Sequence, residues 1–600
     1  MKRLPENEGA FLTTIQGLTG NTSDIRTAVD TPQSIEALPA GMPSGDLDLK
    51  HMAQWAMNYL IRTPRKEYNY EPVFQCHPLR CPPVPDRRDV VVPCDTDARM
   101  SWEWYYMRDI SGSTAGRDIE AVFMARMLAY IDDDGVVWAP PGCYNEGSID
   151  AVYDKKDYVI HVWGATKILR MLSEDYGRTY NKQSRSLARK VMLALKSLAT
   201  YDGSGRCWFA GGMGALRADR SVVPNGWNSH PAPVVGPLVT YWQVTSDADA
   251  LAFAKAYADG IIAGVQPGGI QFNADGRFRG HSHATMHSLW GVAELGIATG
   301  EPHYVEFAKR SWDWMLTRGT GTGWFPAMPD NCNETCCVSD MMSIAALVGR
   351  GGHPEYFDCV ERYLRNHISN QQFIVTPQFE AYYRELNKDA GEDAIRKGID
   401  ALRAFQGGII GGSGLNDWEN ALLGGVSGFE MFGCCAPEGM RAIYTAWTNT
   451  IARYPASPLG PEGVYVNMSV SRESQWARVV SFMPDEGRLT VVASVNDAFF
   501  LRPPHWSPRN AVHAFANGKS VPVAWSGSYV RFKAKPGDEL TITYPLIRFT
   551  HECEGIWKQS APNLKMTFHW LGNMVLETDP APIRTPLFTG KPRVLPPAPF

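Results

Sequence analysis

Several features that would narrow the function are missing from this chain of 600 residues. No segment approaches the run of about 18 apolar residues that a membrane-spanning helix needs. The first residues, Met1 to Glu8, lack the apolar core of a secretory signal, so we expect a cytoplasmic protein unless a leader has been removed. The net charge of -5 and the pI near 6.3 give no electrostatic reason to expect nucleic acid or an anionic membrane as a partner.

Cysteine is also sparse, because 12 cysteines in a chain of this length are too few for a disulfide scaffold. Two short segments, Asn333–Cys337 and Gly433–Gly439, nevertheless each hold an adjacent pair of cysteines beside a glutamate. Adjacent cysteines make poor structural bridges, so thiols that are available to a metal fit better. The two segments lie about a hundred positions apart, so only folding can bring them together.

Thiolates and a carboxylate form a common ligand set for zinc, and a metal-bound thiolate can also act as a nucleophile. Glu334 and Cys336 are two positions apart, which directs both side chains the same way in a loop or strand. Cys434 and Cys435 can both ligate only from a turn, which the flanking glycine and proline suit. The residues alone leave three interpretations open: a structural zinc site, a catalytic zinc–thiolate site, or buried free cysteines.

The order of apolar and polar residues predicts two main structural regions after an irregular lead-in over residues 1–45. Residues 46–452 contain amphipathic stretches of similar length, separated by loops rich in Gly, Pro and Asn, which indicates helical hairpins closed into an α/α toroid. The clearest predicted helices are 47–62, 117–131, 157–175, 183–200, 247–263, 283–299, 302–317, 338–349 and 355–368.

The pattern changes near Tyr454–Pro458, after which short segments alternate apolar and polar residues. This alternation predicts an antiparallel β-sandwich over residues 453–550. Residues 551–600 include a proline-rich end, and we expect them to form an extension that packs back on the barrel or the sandwich. The predicted strands are 463–471, 477–484, 488–495, 510–516, 528–534 and 539–544.

Four ordered motifs resemble those of glycoside hydrolase family 127 and its relative family 146, which contain the β-L-arabinofuranosidases. They are Glu-Thr-Cys at 334–336, Val360–Asn366, Gly433–Arg441, and Leu501–Trp506 in the β region. The resemblance is good from about 280 to 550 and loose before that. It implies an (α/α)6 barrel followed by β-domains, and thus a mainly α protein with a C-terminal β-sandwich.

The resemblance also implies a Zn²⁺ ion held by Glu334, Cys336, Cys434 and Cys435. Cys434 would attack the anomeric carbon, and a thioglycosyl intermediate would then be hydrolysed with overall retention of configuration. The product would be L-arabinofuranose or a similar sugar. Cys337 has no counterpart in the family, so we expect a buried thiol there, with a substitute ligand as the alternative.

Three side chains are predicted to bind the sugar. His283, followed by Ala284, resembles a histidine that lines the family's barrel, and His161 resembles a second cleft histidine. Trp324 ends a glycine-rich loop, and flat aromatic rings suit stacking against sugars. His283 and His287 lie on one helical face, but we see no acidic partner nearby in the sequence and disfavour a second zinc site there.

The chain departs from the family at the proton donor. The family places a glutamate in the loop shortly before the zinc glutamate, whereas residues 318–324 here contain no carboxylate. Asp330 is the nearest downstream carboxylate and is our predicted donor, with Asp313 in the preceding helix as another candidate. Glu430 and Glu438 flank the cysteine pair, where we expect them to support or cap it.

The missing glutamate keeps two other functions open. One is a non-catalytic carbohydrate-binding protein with a structural zinc, and the other is a polysaccharide lyase or epimerase on the same barrel. In each case the expected partner is an oligosaccharide or polysaccharide, with no role for nucleic acid or membrane, and a homodimer is compatible with the sequence.

Overall fold

The computed structural model describes residues 33–35, 47–64, 66, 70, 72–73, 75–84, 96–140, 157–224, 228–265, 272–273, 275–327, 333–419, 429–554, 563–590 and 593–599. Within these residues the protein is a mixed α and β structure, with helices dominating to about residue 450 and antiparallel sheets dominating after it. None of the described helices is both long enough and apolar enough to cross a membrane.

The helices fall largely in the first three quarters of the chain. They are α1 (Leu49–Arg62), α2 (Thr96–Ser111), α3 (Arg117–Leu128), α4 (Val162–Thr179), α5 (Lys182–Leu198), α6 (Val235–Thr245), α7 (Ala248–Ile262), α8 (Ser282–Thr299), α9 (Pro302–Leu316), α10 (Thr335–Arg350), α11 (Tyr356–Tyr363), α12 (Ser369–Gln371), α13 (Pro377–Leu386), α14 (Glu392–Phe405) and α15 (Cys435–Thr450). A π-helical turn, Leu364–Ile368, joins α11 to α12.

Six of these helices pack in a closed cyclic order. Helix α2 contacts α4, which contacts α6, and the series continues through α8, α10 and α15 back to α2. A second helix packs against each member of this inner ring: α3 on α2, α5 on α4, α7 on α6, α9 on α8, α11 on α10, and α1 on both α2 and α15. The alternation of inner and outer helices along the chain follows from short connections between antiparallel neighbours.

The outer helices have the expected amphipathic character and defined starts. In α5, Asn181 caps the first turn by accepting from the backbone N–H of Gln183 at 3.0 Å. Asp247 caps α7 in the same way through Asp249, also at 3.0 Å. Inner helices differ, because α8 and α10 are buried over nearly their whole circumference.

The strands are mostly C-terminal. They are β1 (Gln75–Cys76), β2 (Trp138–Ala139), β3 (Val159–His161), β4 (Ala199–Tyr201), β5 (Cys207–Phe209), β6 (Ala215–Leu216), β7 (Val222–Val223), β8 (Met431–Phe432), β9 (Ile451–Tyr454), β10 (Gly463–Val466), β11 (Arg472–Glu473), β12 (Ala477–Ser481), β13 (Arg488–Ala493), β14 (Asp497–Leu501), β15 (His513–Ala516), β16 (Lys519–Val521), β17 (Trp525–Ser526), β18 (Tyr529–Ala534), β19 (Glu539–Thr543), β20 (Arg548–Glu554), β21 (Lys565–Leu571) and β22 (Met574–Asp579).

Two of the C-terminal sheets share one apolar core. A five-stranded sheet has the order β17-β18-β14-β10-β9, and a six-stranded sheet has the order β11-β12-β13-β19-β15-β16. Val464 and Phe499 from the first sheet and Leu489 and Ile542 from the second belong to the same buried cluster. All pairs in these two sheets are antiparallel except β10 with β14, which is parallel.

The last part of the chain forms a third sheet, β20-β21-β22, that packs against the helical region. Trp324 and Leu415, from loops of the helical region, share a buried cluster with Phe568 and Trp570 of this sheet. Further on, the carbonyl oxygen of Pro596 accepts a hydrogen bond from Trp55 Nε1 at 2.8 Å. The C-terminal segment therefore returns to the helical ring.

Candidate active site

Three sulfur atoms converge where two inner helices begin. Cys336 lies in the first turn of α10, Cys434 immediately precedes α15, and Cys435 is the first residue of α15. The Sγ atoms of Cys336 and Cys435 are 2.9 Å apart, and those of Cys434 and Cys435 are 3.7 Å apart. Cys336 and Cys435 are fully buried, whereas Cys434 is partly exposed. The sequence prediction that these distant cysteines meet is thus realised in the fold.

Residues 410–412 hold the two helix ends together. The backbone N–H of Thr335 donates to the carbonyl of Gly411 at 2.9 Å, and its hydroxyl donates to the carbonyl of Ile410 at 2.5 Å. A Cβ atom on Gly411 would lie 3.2 Å from Sγ of Cys435 and 2.5 Å from the ring of Phe432. Only a glycine allows this approach, which explains why part of the glycine-rich stretch lies here.

Glu334, the fourth predicted ligand, lies beside this group but is not one of the mutually close atoms. Its carboxylate faces His281, with Nε2 of the histidine 3.1 Å from Oε2. Nδ1 of His281 accepts from the backbone N–H of Ala284 at the start of α8, so Nε2 carries the proton that points at Glu334. Burial lowers the pKa of His281, but the Glu334 carboxylate outweighs burial and raises it.

The ligand chemistry fits a tetrahedral zinc ion. With Zn–S bonds of about 2.3 Å, neighbouring sulfurs of such a site lie about 3.8 Å apart. The observed separations of 3.7 and 2.9 Å need only small movements to reach that value. Oε2 of Glu334 is buried and makes no hydrogen bond, although His281 lies nearby. A carboxylate oxygen with unused acceptor capacity beside three thiols is what a fourth zinc ligand requires.

The thiols are electrostatically unequal. Hydrogen bonds from Cys336 and Cys435 lower the pKa of Cys434 well below its usual value, against the effect of burial. Burial raises the pKa of Cys336 and Cys435. Cys434, the most exposed of the three, is therefore also the one that most readily carries the negative charge.

A buried ionic network lies directly beneath the sulfurs, inside the helical ring. Nδ1 of His283 is 2.7 Å from Asp340, and its Nε2 is 2.6 Å from the guanidinium of Arg99. Nδ1 of His287 is 3.2 Å from the same aspartate, and its Nε2 is 2.7 Å from Nζ of Lys167. All five side chains are less than a tenth exposed.

The two histidines and Asp340 have the spacing of a metal site, and Asp340 is the acidic partner that sequence reasoning did not find. Asp340 follows Cys336 by one helical turn, which was the signal available in the sequence. Arg441 approaches its Oδ1 to 2.6 Å, and Arg99 and Lys167 approach the histidines. Three fixed positive charges at these distances oppose a bound cation, so we interpret the group as a structural ionic network.

The predicted sugar-binding side chains are all buried. His161 is fully buried, and its Nδ1 accepts from the N–H of Gly164 at 2.8 Å to cap α4. His283 is 2% exposed within the ionic network. Trp324 is also 2% exposed, and its Nε1 donates to the carbonyl of Ser413 at 3.1 Å. Asp330, the predicted proton donor, lies outside the described residues.

Two pairs of side chains on segments near the sulfur atoms are partly exposed. His281 and Glu334 have side-chain exposures of 16% and 18%. Glu430 and His77, paired across the short β1–β8 ladder, have exposures of 15% and 11%. Sequence analysis treated Glu430 as a supporting group and did not consider His77, which lies in a segment with no recognisable motif.

No family model and no curated protein matches the sequence. Solved structures do match. A GH127 β-L-arabinofuranosidase from Geobacillus stearothermophilus T6 superposes with a TM-score of 0.59 at 13% identity, over 89% of this chain and 86% of that one. A second GH127 enzyme, described as a β-arabinofuranosidase, gives 0.55 at 14% identity over 90% and 86%. A third structure, a glycoside hydrolase, gives 0.53 at 14% identity over 80% and 77%. The protein therefore has a GH127-like fold, and at this identity the likeness concerns the fold alone.

Proposed function

We propose that this protein is a zinc-dependent glycoside hydrolase that releases L-arabinofuranose, or a similarly shaped sugar, from a glycan. The observation that carries the proposal is the convergence of Cys336, Cys434 and Cys435 where α10 and α15 begin. The fold supports a glycosidase, because the structures it resembles are glycoside hydrolases.

We assign residues 46–452 to an (α/α)6 barrel that carries catalysis; the lead-in predicted over residues 1–45 lies, apart from 33–35, outside the described residues. Residues 453–550 would form a β-sandwich domain, and residues 551–600 an extension packed on the barrel or the sandwich. The cyclic order of six inner helices, each with an outer partner, supports the barrel. The separate apolar core of the two large sheets supports the sandwich boundary.

Glu334, Cys336, Cys434 and Cys435 would hold the zinc ion. A bound Zn²⁺ would keep the thiols deprotonated at neutral pH. The carboxylate of Glu334 needs only to turn from His281 toward the sulfurs. His281, fixed by its cap bond to Ala284, would then orient that carboxylate from behind, as partners of zinc ligands commonly do.

Cys434 is our proposed nucleophile, because it is the exposed and more acidic thiol of the three. Its sulfur would attack the anomeric carbon while the glycosidic C–O bond breaks and the leaving oxygen takes a proton. Water would then attack the same carbon and release the sulfur, which gives net retention.

His161, His283 and Trp324 are the proposed sugar-binding side chains. All three are buried, so a direct contact with a sugar would require each of them to become accessible. His281 and Glu334 are partly exposed beside Cys434 and are better placed to meet a sugar ring. His283 would act from beneath, through its hydrogen bonds with Arg99 and Asp340.

The proposal is tested with purified protein, its zinc content, and 4-nitrophenyl β-L-arabinofuranoside as probe. Wild type should contain about one zinc per chain and release nitrophenol. Cys434→Ser should keep the fold, as judged by circular dichroism, and lose turnover, whereas Glu334→Ala should lose zinc as well. Wild-type rates in Cys434→Ser would rule out the nucleophile role.

A non-catalytic carbohydrate-binding protein with a structural zinc is the second candidate. The burial of Cys336 and Cys435 and the absence of a carboxylate in residues 318–324 favour it. It predicts zinc at the same stoichiometry and binding of arabinan fragments, without release of reducing sugar from any arabinoside.

A further inference from the structure

A retaining glycosidase needs a group that protonates the leaving oxygen, and most carboxylates near the sulfurs are unsuited to that role. Glu438 is 1% exposed and bound by Arg441 at 2.6 Å. Asp340 is fully buried and also held by Arg441. Glu334 faces His281 and is the proposed zinc ligand. Asp313, the other candidate from the sequence, is bound by Lys309 and Tyr356 on the outer helices.

Glu430 lies on the open side, close to the sulfurs by backbone connectivity. The N–H groups of Gly411 and Gly412 donate to its carbonyl at 2.8 and 3.1 Å, and Gly411 in turn accepts from Thr335. Three short segments therefore lie side by side, and neighbouring extended segments are about 4.8 Å apart. Two such spacings place the Glu430 backbone about 10 Å from the segment that carries Cys336. The side chain of Glu430 can span part of this distance.

The direction of the Glu430 side chain is also consistent with a position near the sulfurs. Glu430 precedes β8, where alternation puts it on the same face as Phe432. The ring of Phe432 and Sγ of Cys435 both border the space beside Gly411. Retaining glycosidases hold their two reacting groups about 5 Å apart, which is the separation that this assignment requires between Glu430 and Cys434.

Two polar side chains, one in β1 and one directly after it, lie against the carboxylate of Glu430. Nδ1 of His77 is 3.1 Å from Oε1 of Glu430, and Nε2 of Gln75 donates to Oε2 at 3.4 Å. Gln75 and His77 alternate with the buried Cys76, so they share one face of the strand. Strand β1 pairs with β8, with Cys76 opposite Met431. This pairing holds Gln75 and His77 beside the segment that leads to Cys434.

We propose that Glu430 is the proton donor of this site and that His77 and Gln75 position it; this inference rests on the proposed glycosidase function. In the first step Sγ of Cys434 bonds to the anomeric carbon, the glycosidic C–O bond breaks, and the leaving oxygen takes the proton of Glu430. In the second step the Glu430 carboxylate removes a proton from water, the water oxygen bonds to the same carbon, and the C–S bond breaks to restore the thiolate.

The test compares leaving groups in wild type, Glu430→Gln and the control Glu392→Gln, whose side chain is 74% exposed on α14. Methyl β-L-arabinofuranoside needs protonation of its leaving oxygen, whereas the 2,4-dinitrophenyl glycoside does not. Glu430→Gln should slow methyl glycoside cleavage about 10²–10⁴-fold and should leave formation of the thioglycosyl enzyme from the dinitrophenyl glycoside near the wild-type rate. Glu392→Gln should match wild type on both probes, with zinc content equal in all three proteins.

Sodium azide distinguishes a catalytic carboxylate from a structural one. It should restore turnover of the dinitrophenyl glycoside by Glu430→Gln with formation of glycosyl azide, since azide attacks without a general base. Should Glu430→Gln lose zinc or unfold, Glu430→Ala provides the same readout. His77→Gln should shift the pH profile of kcat and retain zinc, as a positioning residue would.

Equal loss on both leaving groups without azide rescue, or no loss on either, would overturn the assignment of Glu430 and leave the glycosidase proposal standing. If wild type itself cleaves neither probe while containing zinc, the glycosidase proposal fails, and this inference fails with it.

Discussion

Cys336 and Cys337 are adjacent in the sequence, but the helix sends their sulfurs in different directions. Successive residues of an α-helix point about 100° apart, so only one of the two can face α15. Cys336 contacts Cys435, whereas Cys337 belongs to the apolar core of the helical region. Burial raises the pKa of Cys337 well above its usual value, so its thiol stays neutral and acts as a small apolar group.

This difference predicts opposite behaviour for two neighbouring substitutions. Cys336→Ala should remove a ligand and lower the zinc content of the purified protein to well below one per chain. Cys337→Ala should retain zinc and cost about 1 kcal/mol of unfolding free energy, a typical value for a small buried truncation. Metal analysis and urea unfolding measure both quantities. Zinc loss in Cys337→Ala, with retention in Cys336→Ala, would exchange the roles of the two cysteines.

At the level of residues, the sequence predicted which cysteines meet, but it did not predict which side chains surround them. Helix α8 begins at Ser282, so His281 caps it and faces Glu334, while His283 turns inward to Asp340. Sequence analysis favoured His283, because His283 followed by Ala284 resembles a histidine that lines the barrel of the family. If the helix started one residue earlier or later, a different histidine would face Glu334 and a different one would face the interior.

At the level of elements, the outer helices were easier to predict than several inner ones. For α2, only the segment Trp102–Tyr106 was interpreted as the buried face of a first barrel helix, and no bounds were assigned; Trp102 and Trp104 are both fully buried in that helix. Residues 203–236 were predicted as a loop, and no helix was predicted over α6, which begins at Val235. This helix contains Pro237 and has few polar residues. A helix surrounded by other helices loses the amphipathic period by which helices are recognised.

Inner helices also approach each other closely at glycines, which gives a second prediction. A Cβ atom on Gly291 of α8 would lie 2.4 Å from the backbone nitrogen of Gly236 in α6. Because a backbone atom cannot rotate away, Gly291→Ala should force the two helices apart and cost about 1–3 kcal/mol, more than alanine gains in helix propensity. The melting temperature should fall accordingly.

The matched control is Gly203→Ala, where no atom lies within 4 Å of the added methyl group. Its melting temperature should stay close to that of wild type. A rise in melting temperature for Gly291→Ala would mean that α6 and α8 can separate at no cost, contrary to a tightly closed ring.

In the C-terminal sheets, too, only some of the strands could be predicted from the sequence. Strands that alternate in character, such as β12, β13 and β18, were found close to their predicted positions. The third sheet, β20-β21-β22, was not predicted, although its strands also alternate between buried and exposed residues. Residues 551–600 were predicted as an extension that packs back on the barrel or the sandwich, and no strand was assigned within them.

At the level of the whole molecule, the ring closes around a charged interior. Arg99, Lys167, Asp340, Glu438 and Arg441 come from four different inner helices and are all buried. Burial and the neighbouring cations together lower the pKa values of His283 and His287 well below their usual range. Such groups can be satisfied only when all the helices are assembled, so the network ties the inner helices to one arrangement.

Buried neutral histidines make the fold sensitive to acid, and His367 allows this to be measured alone. It lies in the π-helical turn after α11, and burial lowers its pKa to about 3. The unfolded chain binds a proton here below about pH 6.5, but the folded chain does not until about pH 3. Stability is therefore lost as the pH falls through this window, by up to about 1.4 kcal/mol per pH unit.

His367→Gln should remove this contribution while keeping a polar atom near Asn333, which lies 3.3 Å from Nε2 in wild type. Between pH 7 and pH 5, the unfolding free energy of wild type should fall by about 2 kcal/mol more than that of the variant. Urea unfolding at several pH values measures the difference, and acid release of zinc affects both proteins alike. His303→Gln, at an exposed position of α9, is the control for the loss of a histidine. Parallel pH profiles for wild type and His367→Gln would mean that His367 is accessible to protons in the folded state.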